Sequence, residues 1–220
     1  MMQSTSIEFA ANRTAFAPRD NPFSVHRVTQ LPFRFTDGDR DQVIEAWRRH
    51  RCRGAIVGRH GTGKSTLLRE MGRRLTANAC DVIEVVAPHS RSEHSDWLIQ
   101  TASRCSIDSV LLIDGLERLS GRHRRQLLFR TRQYGLIATL HRRRGLPEIY
   151  RTSVSETLAR RLLVDLGIDD PPLADRCAGL LTKHRGYLRS LFFDLYDEYS
   201  RPDQSCTERA ADRVPDSVSR

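Results

Sequence analysis

"GAIVGRHGTGKSTLLREMGRRL", residues 54–75, decides how this chain is read. Ala55-Ile56-Val57 is a short apolar run between glycines, as a parallel strand buried on both faces requires. Further on, Leu67, Leu68, Met71 and Leu75 recur at helical spacing, with Arg69, Glu70, Arg73 and Arg74 on the other side. Between the two, Gly58-x-x-x-x-Gly63-Lys64-Ser65 fits a phosphate-binding loop. Strand, glycine-rich turn and helix stand in the order such a loop needs, so the reading does not rest on the pattern alone.

The chemistry accounts for each residue type. Glycines at 58, 61 and 63 allow positive φ and close approach of backbone amides to phosphate oxygens, and the helix N-terminus adds positive potential. The whole stretch Gly58, Arg59, His60, Gly61, Thr62, Gly63, Lys64, Ser65 and Thr66 thereby becomes a candidate anion nest. Lys64 is placed to reach β- and γ-phosphates as a compact cation, and the Ser65 hydroxyl to bind a magnesium ion that keeps several waters. Thr66 either caps the helix or touches the α-phosphate. Of 36 basic residues only Lys64 and Lys183 are lysine, yet lysine stands at the loop position. That weighs against a glycine-rich turn that binds nothing.

A second informative stretch is "SVLLIDGLERLS", residues 109–120, a buried strand ending in Asp114 and turning through Gly115. Around these two the chain alternates strand and helix. Residues 35–51 give a helix with an apolar stripe of Val43, Ile44 and Trp47, started by aspartates. Residues 80–88 read as a strand ended by Pro88, 92–104 as a helix, and 122–135 as a helix burying Leu127, Leu128 and Phe129. Strands are expected at 135–141 and 147–154. This order predicts an α/β fold, a parallel sheet covered by helices on both faces, with ligands at the carboxyl ends of the strands. Lys64, Asp114 and the segment from Thr139 to His141 all fall at those ends.

Residues 1–28 are polar and proline-punctuated and are expected to wrap the surface or stay loose; 29–170 form the core. Ser153-x-x-Glu156 reads as a capping box ahead of Leu158, Leu162, Leu163 and Leu166, in a helix that Pro171-Pro172 breaks. Leu188, Leu191, Phe192, Leu195, Tyr196 and Tyr199 form the stripe of a final helix. Residues 171–202 are therefore a small helical lid or helices completing the core, and 203–220 a disordered tail.

Five cysteines, odd in number and without a C-x-x-C pair, argue for a reducing compartment and against structural zinc. No apolar run approaches the length of a membrane span and the N-terminus lacks a signal-peptide core, so a cytosolic protein is expected. The net charge of +9 fits a solvated or intersubunit face, or a nucleic-acid track. The arginines cluster at 118–132 and 142–144 with no evident aromatic platform among them.

At this point the chain resembles the AAA+ and related signalling ATPases of the P-loop class over roughly residues 33–200. The resemblance rests on the helix preceded by "LPFRF", on "GRHGTGKST", on "VLLIDGLERL" as a Walker B segment, and on "GLIATLH" and "HRGYLRSL" as sensor segments, the last with Gly186-x-x-Arg189. It implies an ATP site, a sheet of order 5-1-4-3-2, Asp114 as a magnesium ligand, and Arg189 on phosphate if the C-terminal helices form a lid. It departs at Gly115, where the AAA+ pattern has a glutamate. The NACHT-like branch is more similar there, since its strand also continues Asp-Gly and places acids three or four residues on. Glu117 sits at that offset and becomes the candidate to orient water; alternatively it favours a helix start or pairs with Arg118 or Arg122. His141 is a candidate contact to the γ-phosphate, with Thr139 the alternative and a loop-capping role a third reading. One of Arg142, Arg143 and Arg144 could act on a neighbouring subunit, or all three line a solvated loop.

The resulting expectation is an ATP- and Mg²⁺-binding protein that hydrolyses ATP to drive or reset a conformational state. The alternative is an ATP-responsive regulatory or binding module with little hydrolysis. A protein client, a homo-oligomer or a nucleic acid are the open partner classes; no membrane is expected.

Overall fold

The side chains of each central strand alternate between two apolar layers, and that period of two builds the molecule. In the computed structural model, which describes residue 18 and residues 20–87, 98–103 and 105–201, two compact units form. One comprises residues 32–158; the other joins the described residues up to 31 with those from 159 onward.

The first unit contains α2 (Arg40–Arg49), β1 (Arg53–Val57), α3 (Lys64–Ala77), β2 (Asp81–Val86), β3 (Ser109–Asp114), a 3₁₀ turn (Leu116–Arg118), α4 (Gly121–Arg130), β4 (Gly135–Leu140) and β5 (Glu148–Arg151), with a helical stretch at 98–102. Helix α1 (Val25–Gln30) belongs to the other unit. The five strands form one sheet in the order β2-β3-β4-β1-β5, every pair parallel. Read from its other edge this is 5-1-4-3-2, the order the resemblance implied.

Ile56, Val110, Leu112 and Ile137 point to one face, against Val43, Ile44 and Trp47 of α2 and Leu67, Leu68, Met71 and Leu75 of α3. Their strand neighbours Ala55, Val57, Leu111, Ile113, Leu136 and Ala138 point to the other, against Leu98, Ile99 and Leu127. Such fully apolar strands suit a sheet covered on both sides. Gly135 lets Trp47 lie against the start of β4, where its indole Nε1–H donates to the Leu136 carbonyl at 3.2 Å.

Three local readings are corrected. Phe129 is 61% exposed and Leu128 only half-buried, so α4 buries Leu127 alone of the three residues expected inside. The helix after β5, α5 (Glu156–Asp165), is capped by Ser155, whose Oγ accepts from the Leu158 N–H at 3.1 Å. Ser153 instead hydrogen-bonds to Thr36 at 3.1 Å. Finally, α5 ends at Asp165, ahead of Gly167 with φ +79°, so Pro171 and Pro172 do not break it but open another helix, α6 (Pro171–Lys183), with the Asp170 carboxylate accepting from the Leu173 N–H. Proline fits a first helical turn, where an N–H has no partner in any case.

In the other unit α7 (Leu188–Tyr199) buries Leu188, Leu191, Phe192, Leu195 and Tyr199 of the expected stripe, while Tyr196 is half-buried. Arg176 of α6 grips Glu198 of α7 with two hydrogen bonds of 2.9 Å. Residues 21–23, in the segment expected to wrap or stay loose, pack here. Phe23 stacks on Phe192 and meets Tyr199 edge-on, while the Asn21 amide donates to the Tyr196 carbonyl and Ser200 hydroxyl. The tail expected at 203–220 and the first half of the helix expected at 92–104 lie outside the described residues.

Leu112, fully buried in β3 and in contact range of Gly72 on α3, tests this packing. Leu112→Ala is expected to cost about 2–5 kcal/mol in chemical denaturation; a loss below about 1 kcal/mol would contradict the tight β3–α3 layer.

Candidate nucleotide site

The carboxyl ends of β1, β3 and β4 bring the expected residues together. After β1 the chain turns through Gly58, Arg59, His60, Gly61, Thr62 and Gly63, with φ of +69° at Gly61 and +89° at Gly63, before α3 begins at Lys64. Gly58 is needed for space: a Cβ there would stand 2.0 Å from Thr152 Oγ1. Lys64 is 8% exposed, and its ammonium donates to the Arg59 carbonyl at 2.6 Å, across the loop. Burial lowers its pKa, and Glu117 and Asp114 pull it back up. A buried cation flanked by two carboxylates and tied to one loop carbonyl is suited to a polyanionic ligand. Ser65 is exposed and Thr66 half-buried in the first turn of α3.

Asp114, at the end of β3, accepts from the Thr139 hydroxyl at 2.7 Å through Oδ1. The same hydroxyl accepts from the Gly115 N–H, also at 2.7 Å. Thr139 is 1% exposed and thus holds the Asp114 turn from below. His141, two residues on, serves a different partner: its Nε2 lies 3.0 Å from Glu117 Oε1. The two residues that strand alternation could not separate therefore take separate tasks.

Gly115 adopts φ +82°, and the 3₁₀ turn that follows points Glu117 back to Lys64 and His141. Glu117 forms no ion pair with Arg118 or Arg122; Arg118 donates instead to the Ala87 carbonyl. Glu117 Oε2 is buried and has no hydrogen-bond partner, a costly state for a carboxylate oxygen. The ring centroids of His60 and His141 are 3.7 Å apart. Burial lowers the His141 pKa; Glu117 raises it, and Lys64 and His60 lower it further.

The donor set fits magnesium bound with nucleotide. Asp114 Oδ2 has no hydrogen-bond partner among the described residues, and the Ser65 hydroxyl stands in the first turn of α3. No group of three His, Cys, Asp or Glu side chains suited to a metal occurs among the described residues. Magnesium requires none, since phosphates and waters complete its shell.

Sequence reasoning missed Thr152. Its hydroxyl is 2.6 Å from that of Thr62, its N–H donates to the Val57 carbonyl, and it is 4% exposed. It clamps the loop onto the end of β5. Phe33 was also unassigned; its ring edge comes within 3.1 Å of a Cβ placed on Gly63 and packs against Phe35 and Tyr150. Arg189 is exposed on α7, in the unit that does not carry the loop. Arg142, Arg143 and Arg144 are exposed after β4.

No protein-family model matches the chain, and no curated protein matches it. Among solved structures, the replication initiator DnaA bound to AMPPCP and single-stranded DNA is similar at 15% identity and a TM-score of 0.53, over 82% of this chain and 67% of that one. AMPPCP-bound DnaA from Aquifex aeolicus is 17% identical over 82% of this chain and 68% of that one, with a TM-score of 0.48. The likeness is one of architecture. With its all-parallel sheet of order 5-1-4-3-2 and the loop at the end of β1, the chain has the fold of the AAA+ P-loop ATPases.

Proposed function

We propose that this chain binds Mg-ATP and hydrolyses it slowly to reset a conformational state, with Glu117 as general base. The observation that carries the reading is the buried, unpartnered Oε2 of Glu117 beside Lys64 and His141. The AMPPCP held by the similar DnaA structure supports an adenine nucleotide as the ligand.

The loop amides bind the phosphate oxygens, and Lys64 exchanges its bond to the Arg59 carbonyl for the β- and γ-phosphates. Ser65 and Asp114 would hold magnesium, which would supply positive charge against those phosphates. Thr139 keeps Asp114 aimed at the metal position. Neutral His141 donates from Nε2 to Glu117 Oε1 and so fixes the carboxylate, leaving Oε2 to take a proton from water. Arg189 reaches phosphate only if the C-terminal helices act as a lid. A protein client or a second copy is the body moved.

The Glu117–His141 contact also favours a second reading, a nucleotide-responsive binding module with little hydrolysis. In it the histidine holds the base in an unproductive pose until a partner releases it. Single-turnover hydrolysis by wild type and Glu117→Gln, at matched Mg-ATP occupancy, decides between them. The first reading expects a loss of about 10²-fold or more; equal binding with no turnover in either protein selects the second.

The pH dependence follows from His141. Its lowered pKa makes it neutral at pH 7, and acid converts it to an imidazolium that pairs with Glu117 and weakens the base. Turnover is expected to be level at neutral and alkaline pH and to fall on acidification below the ordinary imidazole range. His141→Gln, which keeps a donor but cannot titrate, should move that acid limb to lower pH; an unmoved limb would dissociate His141 from the reaction.

Gly115→Glu places a glutamate where the AAA+ pattern has one, but at φ +82° and with Cβ 2.8 Å from Arg118 Nε. It should destabilise by about 1–2 kcal/mol and bring no rate gain. A faster single turnover would show that the turn can accept the usual arrangement.

A further inference from the structure

On the face of the sheet covered by α4, an open groove of about 1390 Å³ lies between that helix and the crossover joining β4 to β5. Arg122, Arg124, Arg125, Arg132 and Arg144 line it together with Phe129, and no acidic residue does. Some arginines elsewhere are neutralised, as in Arg40–Glu70, Arg151–Glu148 and Arg176–Glu198. The five groove arginines have no carboxylate within ion-pair distance among the described residues. Five unpaired guanidinium groups around one concave surface repel one another, a cost that an anionic ligand removes.

The ring of Phe129 narrows the choice of ligand. It is 61% exposed, while Leu127 is buried and Leu128 half-buried at the groove edge, and the Arg132 guanidinium carbon stands 4.2 Å above its centroid. A flat ring with a stacked guanidinium, set among arginines, is the platform on which unpaired bases stack. Planar guanidinium forks also match phosphate oxygens better than point charges do. An anionic membrane would require several apolar side chains on the same face. The other large exposed hydrophobics, Val25, Val86, Ile107, Val164 and Phe193, do not line the groove. An acidic protein would satisfy the arginines and leave the ring without a task.

We propose that this groove binds single-stranded nucleic acid, with phosphates on Arg122, Arg124, Arg125 and Arg144 and a base stacked at Phe129 and Arg132. The site is separate from the nucleotide loop, whose cation Lys64 is not among its lining residues. It reads sequence weakly, because every base has a stacking face and the backbone supplies the rest of the affinity.

The test is fluorescence anisotropy of the full chain with a labelled oligothymidylate of about 20 nucleotides, without ATP, across about 50 to 200 mM salt. Heparin and anionic-lipid vesicles serve as competing polyanions. The expected result is salt-sensitive binding that Phe129→Ala weakens at least about fivefold, while heparin binding changes by less than about twofold. Arg125→Ala should flatten the slope of log affinity against log salt by about 0.7, the share of one phosphate contact. Phe129 and Arg125 are exposed, so both variants should fold, which circular dichroism checks. Absence of oligonucleotide binding at the lowest salt overturns the proposal. So does equal loss of heparin and oligonucleotide affinity in Phe129→Ala, or preference for vesicles over the oligonucleotide. Binding is read without nucleotide, so failure here leaves the ATPase reading standing, and loss of turnover in Glu117→Gln says nothing against the groove.

Discussion

The hydroxyl of Thr139 joins the two halves of the candidate nucleotide site, and most of the geometry around it follows from that one group. It donates to Asp114 and accepts from the Gly115 N–H, both at 2.7 Å, from a position sealed off from solvent. Fully buried hydrogen bonds contribute about 1 kcal/mol each, and an unmet partner there costs more than the bond gains. The bridge therefore fixes the peptide after Asp114 in its left-handed turn. Once that turn is fixed, the next residues wind into a 3₁₀ helix and Glu117 comes round to Lys64 and His141.

This explains why glycine stands beside the strand-end aspartate. Here the backbone turns at once, and only a residue without Cβ takes φ +82° at little cost. In the proposed reading the carboxylate comes two residues later, from Glu117 in the turn itself. Position in space, rather than position in sequence, is what a water-orienting base has to satisfy.

Much of the architecture could be read before any coordinates, because burial on both faces writes itself into the strands. Ala55-Ile56-Val57, Val110 to Ile113 and Leu136 to Ala138 are continuous apolar runs, and the loop after the first of them ties sequence directly to a backbone shape. What stayed hidden depended on neighbours distant in the chain. Thr152 is an ordinary residue after an edge strand until β5 lies beside β1 and brings it to Thr62, 90 residues away in sequence. The difference between Thr139 and His141 is likewise invisible to alternation, which gives a face but no depth. Phe129 misled for the opposite reason: the local pattern treats an aromatic ring next to two leucines as core, although three successive helical residues span too wide an arc to enter one interface together.

The same connectivity places the nucleotide site and the arginine groove at two ends of shared elements. Helix α4 starts three residues after Arg118, the last residue of the turn that carries Glu117, and the crossover bearing Arg144 starts at His141. Glu117 and His141 touch each other, so the two walls of the groove are joined at their roots by one contact of 3.0 Å. Little chain lies between that contact and either wall: Ser120 caps α4 directly, and Leu146 anchors the crossover in the apolar layer under it. If the proposed nucleotide site and the basic surface are coupled through this pair, the free energy carried is bounded by the difference in how a ligand at either end binds the pair's two positions.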